Sequence, residues 1–199
     1  MKPIFIGVAG GSGAGKSSLC TALMDKYPDQ IGLIQLDDYF KPSGQVPILD
    51  GLENWDHPDS LFLDKLATDL GTLGEGNSVT INTKNERLNP YYARTDKRIP
   101  VVFVPKPLML VEGYLALYDK SVRDQLTEAI WLEVDHETRW ARRVHFKDGV
   151  YAEKVLKPMH ALFVEPTKKF ATWMLDVSGL GKDEVLSRVE THLQRFLRV

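Results

Sequence analysis

The chain has 199 residues, 43% hydrophobic and 26% charged, and is long enough to form one globular domain with a sizeable core. Its formal net charge of −2 gives no electrostatic case for binding nucleic acid or a membrane surface. The single cysteine, Cys20, excludes an internal disulfide and a multi-cysteine zinc site. No apolar run approaches the ~18 residues of a membrane span and no signal-peptide pattern is present, so we expect a cytoplasmic protein.

The first predicted strand, Ile4–Val8, runs into a glycine-rich turn that matches G-x-x-x-x-G-K-[ST] from Gly10 to Ser17. Glycines let successive backbone N–H groups close around phosphate oxygens, and the helix predicted from Lys16 to about Lys26 adds its positive dipole end. Lys16 would reach the β- and γ-phosphates, and the Ser17 hydroxyl would ligate Mg²⁺. The pattern predicts a nucleoside triphosphate site rather than a glycine-rich hairpin or an ordinary βα loop. The residues expected to bind the nucleotide here are Gly10, Gly11, Ser12, Gly13, Ala14, Gly15, Lys16, Ser17 and Ser18.

The second predicted strand, residues 31–36, runs directly into Asp37 and Asp38. Beside a phosphate loop, Asp37 could accept the proton of an attacking hydroxyl or orient that hydroxyl. Either aspartate could instead cap a turn or a helix, as such residues often do. The phosphate loop favours a catalytic role for Asp37, whereas for Asp38 the two interpretations stay equal.

Two irregular segments follow, on either side of a predicted helix. Residues 41–59, rich in proline, glycine and acidic residues, are expected to form a functional loop on the substrate side. A helix capped by Asp59 or Ser60 is expected next, ending at residues 74–77. Residues 78–104 contain two short β-like pieces and predict a hairpin-like excursion, also on the substrate side.

A strongly apolar strand, Leu108–Val111, ends in Glu112, which could hold Mg²⁺ directly or through water and complete the shell begun by Ser17. Further strands are predicted at 130–134 and 172–177, and helices at about 136–146, 151–164 and 182–197, with Pro158 expected to kink or split the 151–164 helix. Near-continuous apolar strands that alternate with helices predict a five-stranded, mostly parallel sheet with helices on both faces. Such sheets bind ligands at the carboxyl ends of their strands.

The predicted helix at 136–146 carries Arg139, Arg142 and Arg143. Charges on a surface helix commonly form only a solvated face, but phosphoryl transfer needs cations near the migrating group, and arginine can supply them bidentately. We therefore expect at least one of the three to face the triphosphate, with Arg139 binding the nucleotide and Arg143 acting in catalysis. The histidines show no metal-ligand spacing, and His57 is a candidate substrate contact.

In order and spacing, these motifs resemble the uridine kinase family over nearly the whole chain. The matching runs are Gly10–Ser17, Leu36–Phe40, Asn54–Asp59, Val111–Tyr114, Tyr118–Leu126, Asp135–Val144, Lys157–His160 and Pro166–Ala171. The resemblance implies an α/β P-loop kinase core, one domain over residues 1–199, that uses ATP and Mg²⁺ to phosphorylate a nucleoside 5′-hydroxyl. It assigns the catalytic carboxylate to Asp37, the metal-proximal acid to Glu112 and the acid that holds the ribose hydroxyls to Asp56.

Two segments depart from that family. Uridine-specific members carry a tyrosine and a histidine in the excursion after the second helix, whereas Ile81–Leu88 has neither at the matching positions, and the lid at residues 145–150 is shortened. Leu36–Pro42 is equally similar to the nicotinamide riboside kinases. The acceptor is therefore left open between uridine or cytidine, nicotinamide riboside and another small hydroxylated metabolite. The residues expected to contact it are Asp37, Tyr39, Asp56, His57 and Arg87.

Two other classes of function would show different features. A nucleotide-dependent switch protein would need a water-positioning residue and guanine-reading motifs, and the sequence shows neither. An inactive homologue would bind Mg²⁺·ATP tightly without transferring phosphate to any acceptor. The resemblance also allows a homo-oligomer, although no interface can be read from the sequence.

Overall fold

The computed structural model describes residues 2–135, 137–139 and 149–197. Its centre is a sheet of five parallel strands: β1 (Ile4–Ala9), β2 (Ile31–Gln35), β7 (Leu108–Glu112), β8 (Glu128–Glu133) and β9 (Trp173–Asp176). Their order in the sheet is β2-β7-β1-β8-β9. The parallel five-stranded sheet predicted from the sequence is confirmed.

Alternating side chains of the strands build a core on each face of the sheet. Phe5, Met109 and Trp131 face one side, where they pack with the helix α2 (Leu63–Gly74). Their neighbours along the strands face the other side, where they pack with α1 (Lys16–Lys26) and α6 (Lys182–Leu193). Strands buried on both faces must be apolar throughout, which explains the near-continuous hydrophobic runs in the sequence.

Shorter elements connect the strands and helices of these layers. They are β3 (Ile48–Leu49) paired with β4 (Leu52–Glu53), β5 (Val79–Thr83) paired with β6 (Ile99–Phe103), α3 (Tyr92–Thr95) and α4 (Lys120–Arg123). The antiparallel β5–β6 pair confirms the predicted excursion. The predicted cap of α2 was wrong: the helix begins at Leu63, after a 3-10 turn at Pro58–Ser60. The Ser60 hydroxyl is used elsewhere, since it donates to the Trp55 carbonyl at 2.7 Å.

A helical segment over residues 149–164, here α5, passes through Pro158 without interruption. Ala152–Leu156 and His160–Val164 are π-helical, and Lys157–Met159 between them is α-helical. Leu156 and Lys157 keep helical dihedral angles (φ −61° and −62°). Of the two predicted effects of Pro158, a kink or a split, the split was therefore wrong. Proline removes one backbone donor, and the wider π-helical turns accommodate that loss.

Asp38 fixes the β5–β6 pair to the turn that follows β2. Its buried carboxylate accepts hydrogen bonds from the Thr83 hydroxyl at 2.8 Å and the Lys84 backbone N–H at 2.9 Å. Arg98 closes the junction by donating to the carbonyls of Asp38 at 2.6 Å and Asp37 at 3.0 Å. Of the two interpretations of Asp38, the structure favours the one in which it holds local structure.

Among the described residues, no helix combines the length and the apolarity needed to cross a lipid bilayer.

We expect Tyr39→Phe to lower the free energy of unfolding by about 1 kcal/mol, the usual contribution of a buried hydrogen bond. The Tyr39 hydroxyl is buried and donates to Asp69 Oδ2 at 2.9 Å, and Lys65 still pairs with Asp69 when that hydroxyl is removed. Urea unfolding followed by tryptophan fluorescence measures the change. Exposed Tyr91 provides the control, Tyr91→Phe, which should unfold as the wild type does. Equal stability of the Tyr39→Phe variant and the wild type would contradict this role of the hydroxyl.

Candidate active site

The loop between β1 and α1 has a backbone shape that requires glycine. Gly10, Gly13 and Gly15 have φ angles of +139°, +87° and +89°, in the region that side chains disfavour. A Cβ atom on Gly10 would also lie 2.5 Å from the Leu132 carbonyl oxygen. The loop leads directly into the first turn of α1, whose backbone N–H groups lack helical partners. This is the cradle that a polyphosphate needs, so the residues present fit the triphosphate of ATP.

Lys16 lies across this loop with its ammonium group held by backbone oxygens. Its side chain is buried, and Nζ donates to the carbonyls of Gly10 at 3.0 Å and Gly11 at 3.1 Å. Burial lowers the pKa of Lys16, and the Glu112 and Asp37 carboxylates oppose that shift. An ammonium group held by neutral carbonyls can exchange them for phosphate oxygens without moving far.

Ser17 and Glu112 bring a hydroxyl and a carboxylate together beside the loop. The Ser17 hydroxyl donates to Glu112 Oε1 at 3.2 Å, and the Glu112 side chain is only 6% exposed. Burial raises the pKa of Glu112, and the Lys16 ammonium is the strongest of the neighbours that lower it. A hydroxyl and a carboxylate at this separation fit Mg²⁺, which takes one or two protein ligands and fills its octahedron with phosphate and water oxygens. Within residues 2–135, 137–139 and 149–197, no cluster of three or more His, Cys, Asp or Glu side chains could hold a metal by itself.

Asp37 lies in the 3-10 turn Leu36–Tyr39 that follows β2, and it faces the same space. It lines a cavity of about 740 Å³ together with Lys16, Ser17 and Glu112. Its carboxylate is 47% exposed and forms an ion pair with Lys84 Nζ at 3.0 Å. The structure thus brings together the residues that the sequence analysis expected at successive strand ends.

A second cavity, of about 360 Å³, adjoins the first, and Ser12 and Tyr114 line both. Asp56 lies in its wall and accepts a hydrogen bond from the Tyr151 hydroxyl at 2.7 Å. The Tyr151 oxygen in turn accepts from the Trp55 N–H at 3.1 Å, and Tyr114 donates to the Trp55 carbonyl at 2.8 Å. These bonds fix the loop that carries Asp56 against α5. The cavity therefore has a carboxylate at a defined position beside the phosphate loop.

Arg139 also borders the second cavity and packs on the phosphate loop. Its guanidinium lies where a side chain on Gly11 would have to be, because a Cβ built there would come within 1.7 Å of Nη1. Nη1 also contacts His160 Nε2 at 3.0 Å. Burial lowers the pKa of Arg139, although nearby carboxylates oppose the shift. The other two predicted arginines, Arg142 and Arg143, and residues 145–148 of the predicted lid lie outside the described residues.

Three predicted substrate contacts have partners within the protein. Tyr39 is a core residue bonded to Asp69, and Arg87 forms an ion pair with Asp25 in the last turn of α1, at the opposite end from the phosphate loop. The His57 ring accepts the Asp59 N–H at 3.0 Å and packs against Phe163 at 4.7 Å between centroids. All three side chains stabilise local structure in this conformation. Ser18, by contrast, lines the larger cavity as expected.

Several residues that contact this site were not predicted from the sequence. Lys84 pairs with Asp37, Tyr151 bonds to Asp56, His160 contacts Arg139, and Gln35 contacts Glu112. Gln35 ends β2 and immediately precedes the turn that carries Asp37, so its position was a usable signal. His160 ends the family-like run Lys157–His160, but that run does not indicate what the histidine contacts. Nothing in the sequence around Lys84 or Tyr151 marks these two residues, because each reaches the site from a segment distant in the chain.

Comparison with known proteins agrees with this geometry. The family model described as Phosphoribulokinase / Uridine kinase family matches residues 48–175. A uridine kinase of Chloroflexus aurantiacus is 34% identical to the chain, covering 96% of it and 97% of that protein. A uridine kinase of Clostridium novyi is 30% identical, covering 96% of each.

Among solved structures, a protein from Bacillus stearothermophilus described as a possible uridine kinase superposes with a TM-score of 0.58 at 17% identity, over 88% of this chain and 90% of that one. At that identity the superposition bears on the fold alone. The family match and the relatives establish more, because they extend over most of the chain. The chain therefore belongs to the phosphoribulokinase/uridine kinase family, and its fold is the α/β P-loop kinase core.

Proposed function

We propose that this protein transfers the γ-phosphoryl group of ATP, with Mg²⁺, to the 5′-hydroxyl of a nucleoside. The observation that carries the proposal is that Lys16, Asp37 and Glu112 line one cavity with the phosphate loop. A polyphosphate cradle, a general base and a metal-binding acid are the parts that phosphoryl transfer to an alcohol requires. The relatives named uridine kinase support the same activity.

On the nucleotide side, the loop N–H groups bind the β- and γ-phosphates, and Lys16 exchanges its bonds to the Gly10 and Gly11 carbonyls for phosphate oxygens. Ser17 and Glu112 would hold Mg²⁺, which would supply positive charge to neutralise the phosphate oxygens. Arg139, packed on Gly11, adds a fixed positive charge beside the loop.

On the acceptor side, Asp37 takes the proton of the hydroxyl as its oxygen forms a bond to the γ-phosphorus, and the bond to the ADP oxygen breaks. Asp37 is paired with Lys84 in this structure, so the acceptor hydroxyl must share or displace that contact. An ion pair between two partly exposed side chains contributes little stability, so it can open when an acceptor binds.

The second cavity is where we place the rest of the acceptor. Its volume of about 360 Å³ lies within the range of small-molecule sites, and Leu156 and Val164 give it apolar walls beside the Asp56 carboxylate. A carboxylate that can accept hydrogen bonds from two neighbouring hydroxyls suits a ribose. In the β5–β6 excursion, Thr83 and Asn85 are bonded to Asp38 and Gln35 and offer no aromatic surface to a base. The proposal therefore specifies a ribose but not its base, and nicotinamide riboside, uridine and cytidine all remain candidate acceptors.

The proposal is tested by incubating the protein with ATP, Mg²⁺ and a mixed pool of nucleosides and other small alcohols, and by identifying products by mass spectrometry. We expect one phosphorylated nucleoside to form in equal amount to ADP. ATP hydrolysis without a phosphorylated acceptor, or binding without turnover, would contradict it.

We expect Asp37→Asn to lower kcat by ~10²–10⁴-fold, the usual loss when a general base is removed. The amide keeps the shape of the carboxylate but cannot take the proton. Steady-state kinetics with the best acceptor from the pool measures the change, and Asp29→Asn, in an exposed turn, is the control. A rate within a few-fold of wild type would remove Asp37 from this role.

We expect Asp56→Asn to raise the KM of the acceptor by ~10–100-fold, since hydrogen bonds to a charged group contribute about 1.5–3 kcal/mol. The KM of ATP should change little, because Asp56 lies in the second cavity and outside the larger one. The control is Asp64→Asn, an exposed position in the first turn of α2. Equal increases in both KM values would show that Asp56 affects the whole site rather than the acceptor.

A further inference from the structure

Both carboxylate oxygens of Glu112 are hydrogen-bonded, Oε1 to Ser17 and Oε2 to Gln35. The bond to Gln35 is the first of a chain of hydrogen bonds, here called the relay, that leads to Asn85 in the β5–β6 excursion. Gln35 is the register partner of Glu112 in the parallel pair β2–β7, and its Nε2 donates to Glu112 Oε2 at 3.3 Å. Asn85 Nδ2 donates to Gln35 Oε1 at 2.5 Å. Asn85 lies two residues after the end of β5 at Thr83 and is 50 residues from Gln35 in the chain. A segment on the acceptor side of the site thus reaches the metal-binding acid through one glutamine.

The Glu112 carboxylate, at one end of the relay, determines which group donates in each of its hydrogen bonds. An ionised carboxylate can only accept, so the Gln35 amide must present its NH₂ group to Glu112. Its oxygen then faces Asn85, which must present its own NH₂ group. The remaining Asn85 oxygen accepts the Arg87 backbone N–H at 3.0 Å. Only one assignment of the two amides satisfies all three bonds, and the relay therefore holds Glu112 in one orientation.

The far end of the relay is anchored. The Asn85 N–H donates to the Thr83 hydroxyl at 3.0 Å, and that hydroxyl donates to the buried Asp38 carboxylate at 2.8 Å. Asp38 also accepts the Lys84 N–H, so the backbone that leads into Asn85 has a set position. The amide that fixes Gln35 is thereby tied to the same turn that carries Asp37.

We propose that Gln35 and Asn85 are positioning residues for the Mg²⁺ site, which hold Glu112 with Oε1 directed at Ser17 and the phosphate loop. The inference rests on the proposed function, because Ser17 and Glu112 are metal ligands only there. Hydrogen-bond partners of metal-binding carboxylates commonly change metal affinity by ~10–100-fold when they are removed. Asn85 acts only through Gln35, so the two residues contribute in series.

The test is Mn²⁺ binding, measured by electron paramagnetic resonance with a non-hydrolysable ATP analogue and without acceptor. We expect Gln35→Leu to weaken Mn²⁺ binding by ~10–100-fold and Asn85→Ala to weaken it by a smaller factor. The double variant should be no weaker than Gln35→Leu alone, since groups in series are not additive. Affinity for the analogue without metal should stay at the wild-type value, which a general disturbance of the fold would not allow.

Two further variants sharpen the result. Asn85→Asp keeps the size of the side chain but can only accept, so the Gln35 amide would have to turn its oxygen towards Glu112, and we expect a loss at least as large as for Asn85→Ala. Asn82→Ala, at an exposed position of the same β5–β6 pair, should bind Mn²⁺ as the wild type does. If Gln35→Leu fails to fold, as shown by its thermal unfolding, the Asn85 variants decide the question.

Glu112→Gln separates failure of this inference from failure of the proposed function. If Glu112→Gln weakens Mn²⁺ binding but the Gln35 and Asn85 variants match the wild type, the relay is overturned and the metal site stands. Additive losses in the double variant would also overturn it. If the wild type binds no Mn²⁺ with the analogue, the inference and the metal site fall together.

Discussion

The parallel register of β1, β2 and β7 is the constraint on which the rest of the structure depends. Val8 and Gln35 are both paired with Glu112, so the three strands end at the same level and their following segments leave the sheet at one edge. The phosphate loop, the turn with Asp37 and the Glu112 carboxylate are neighbours for that reason. A shift of one residue in β7 would turn Glu112 to the other face of the sheet and separate it from Ser17.

Such a site has a cost in stability, which its hydrogen bonds offset. Glu112 and Lys16 are removed from water, and burial opposes ionisation of both. The Glu112 carboxylate accepts hydrogen bonds from Ser17 and Gln35, and the Lys16 ammonium donates hydrogen bonds to two loop carbonyls. The same arrangement leaves both charges available to a ligand, because none of those partners is itself of opposite charge.

What could be predicted from the sequence was what local patterns determine. The glycine loop, the apolar strands and the acids at strand ends depend on residues next to one another, and the structure brings Lys16, Asp37 and Glu112 together as expected. Side-chain direction could not be read in the same way. Tyr39 follows Asp37 by two residues, yet the 3-10 turn directs it into the core towards Asp69.

Contacts between segments distant in the chain could not be predicted from the sequence either. Arg87 lies in an excursion that contributes Lys84 and Asn85 to the site, but its own side chain pairs with Asp25. The helical cap expected at Asp59 or Ser60 did not form because both residues belong to the 3-10 turn before α2, where the Ser60 hydroxyl donates to the Trp55 carbonyl. In each case a tertiary partner decided the outcome, and no property of the local sequence identifies that partner.

The most direct measurement is a crystal structure with Mg²⁺ and a non-hydrolysable ATP analogue. The account predicts the triphosphate in the loop from Gly10 to Ser17, with Lys16 Nζ moved from the backbone carbonyls to the terminal phosphate and Asp37 facing that phosphate across the space for an alcohol. A nucleotide bound outside the loop, or a terminal phosphate directed away from Asp37, would contradict it.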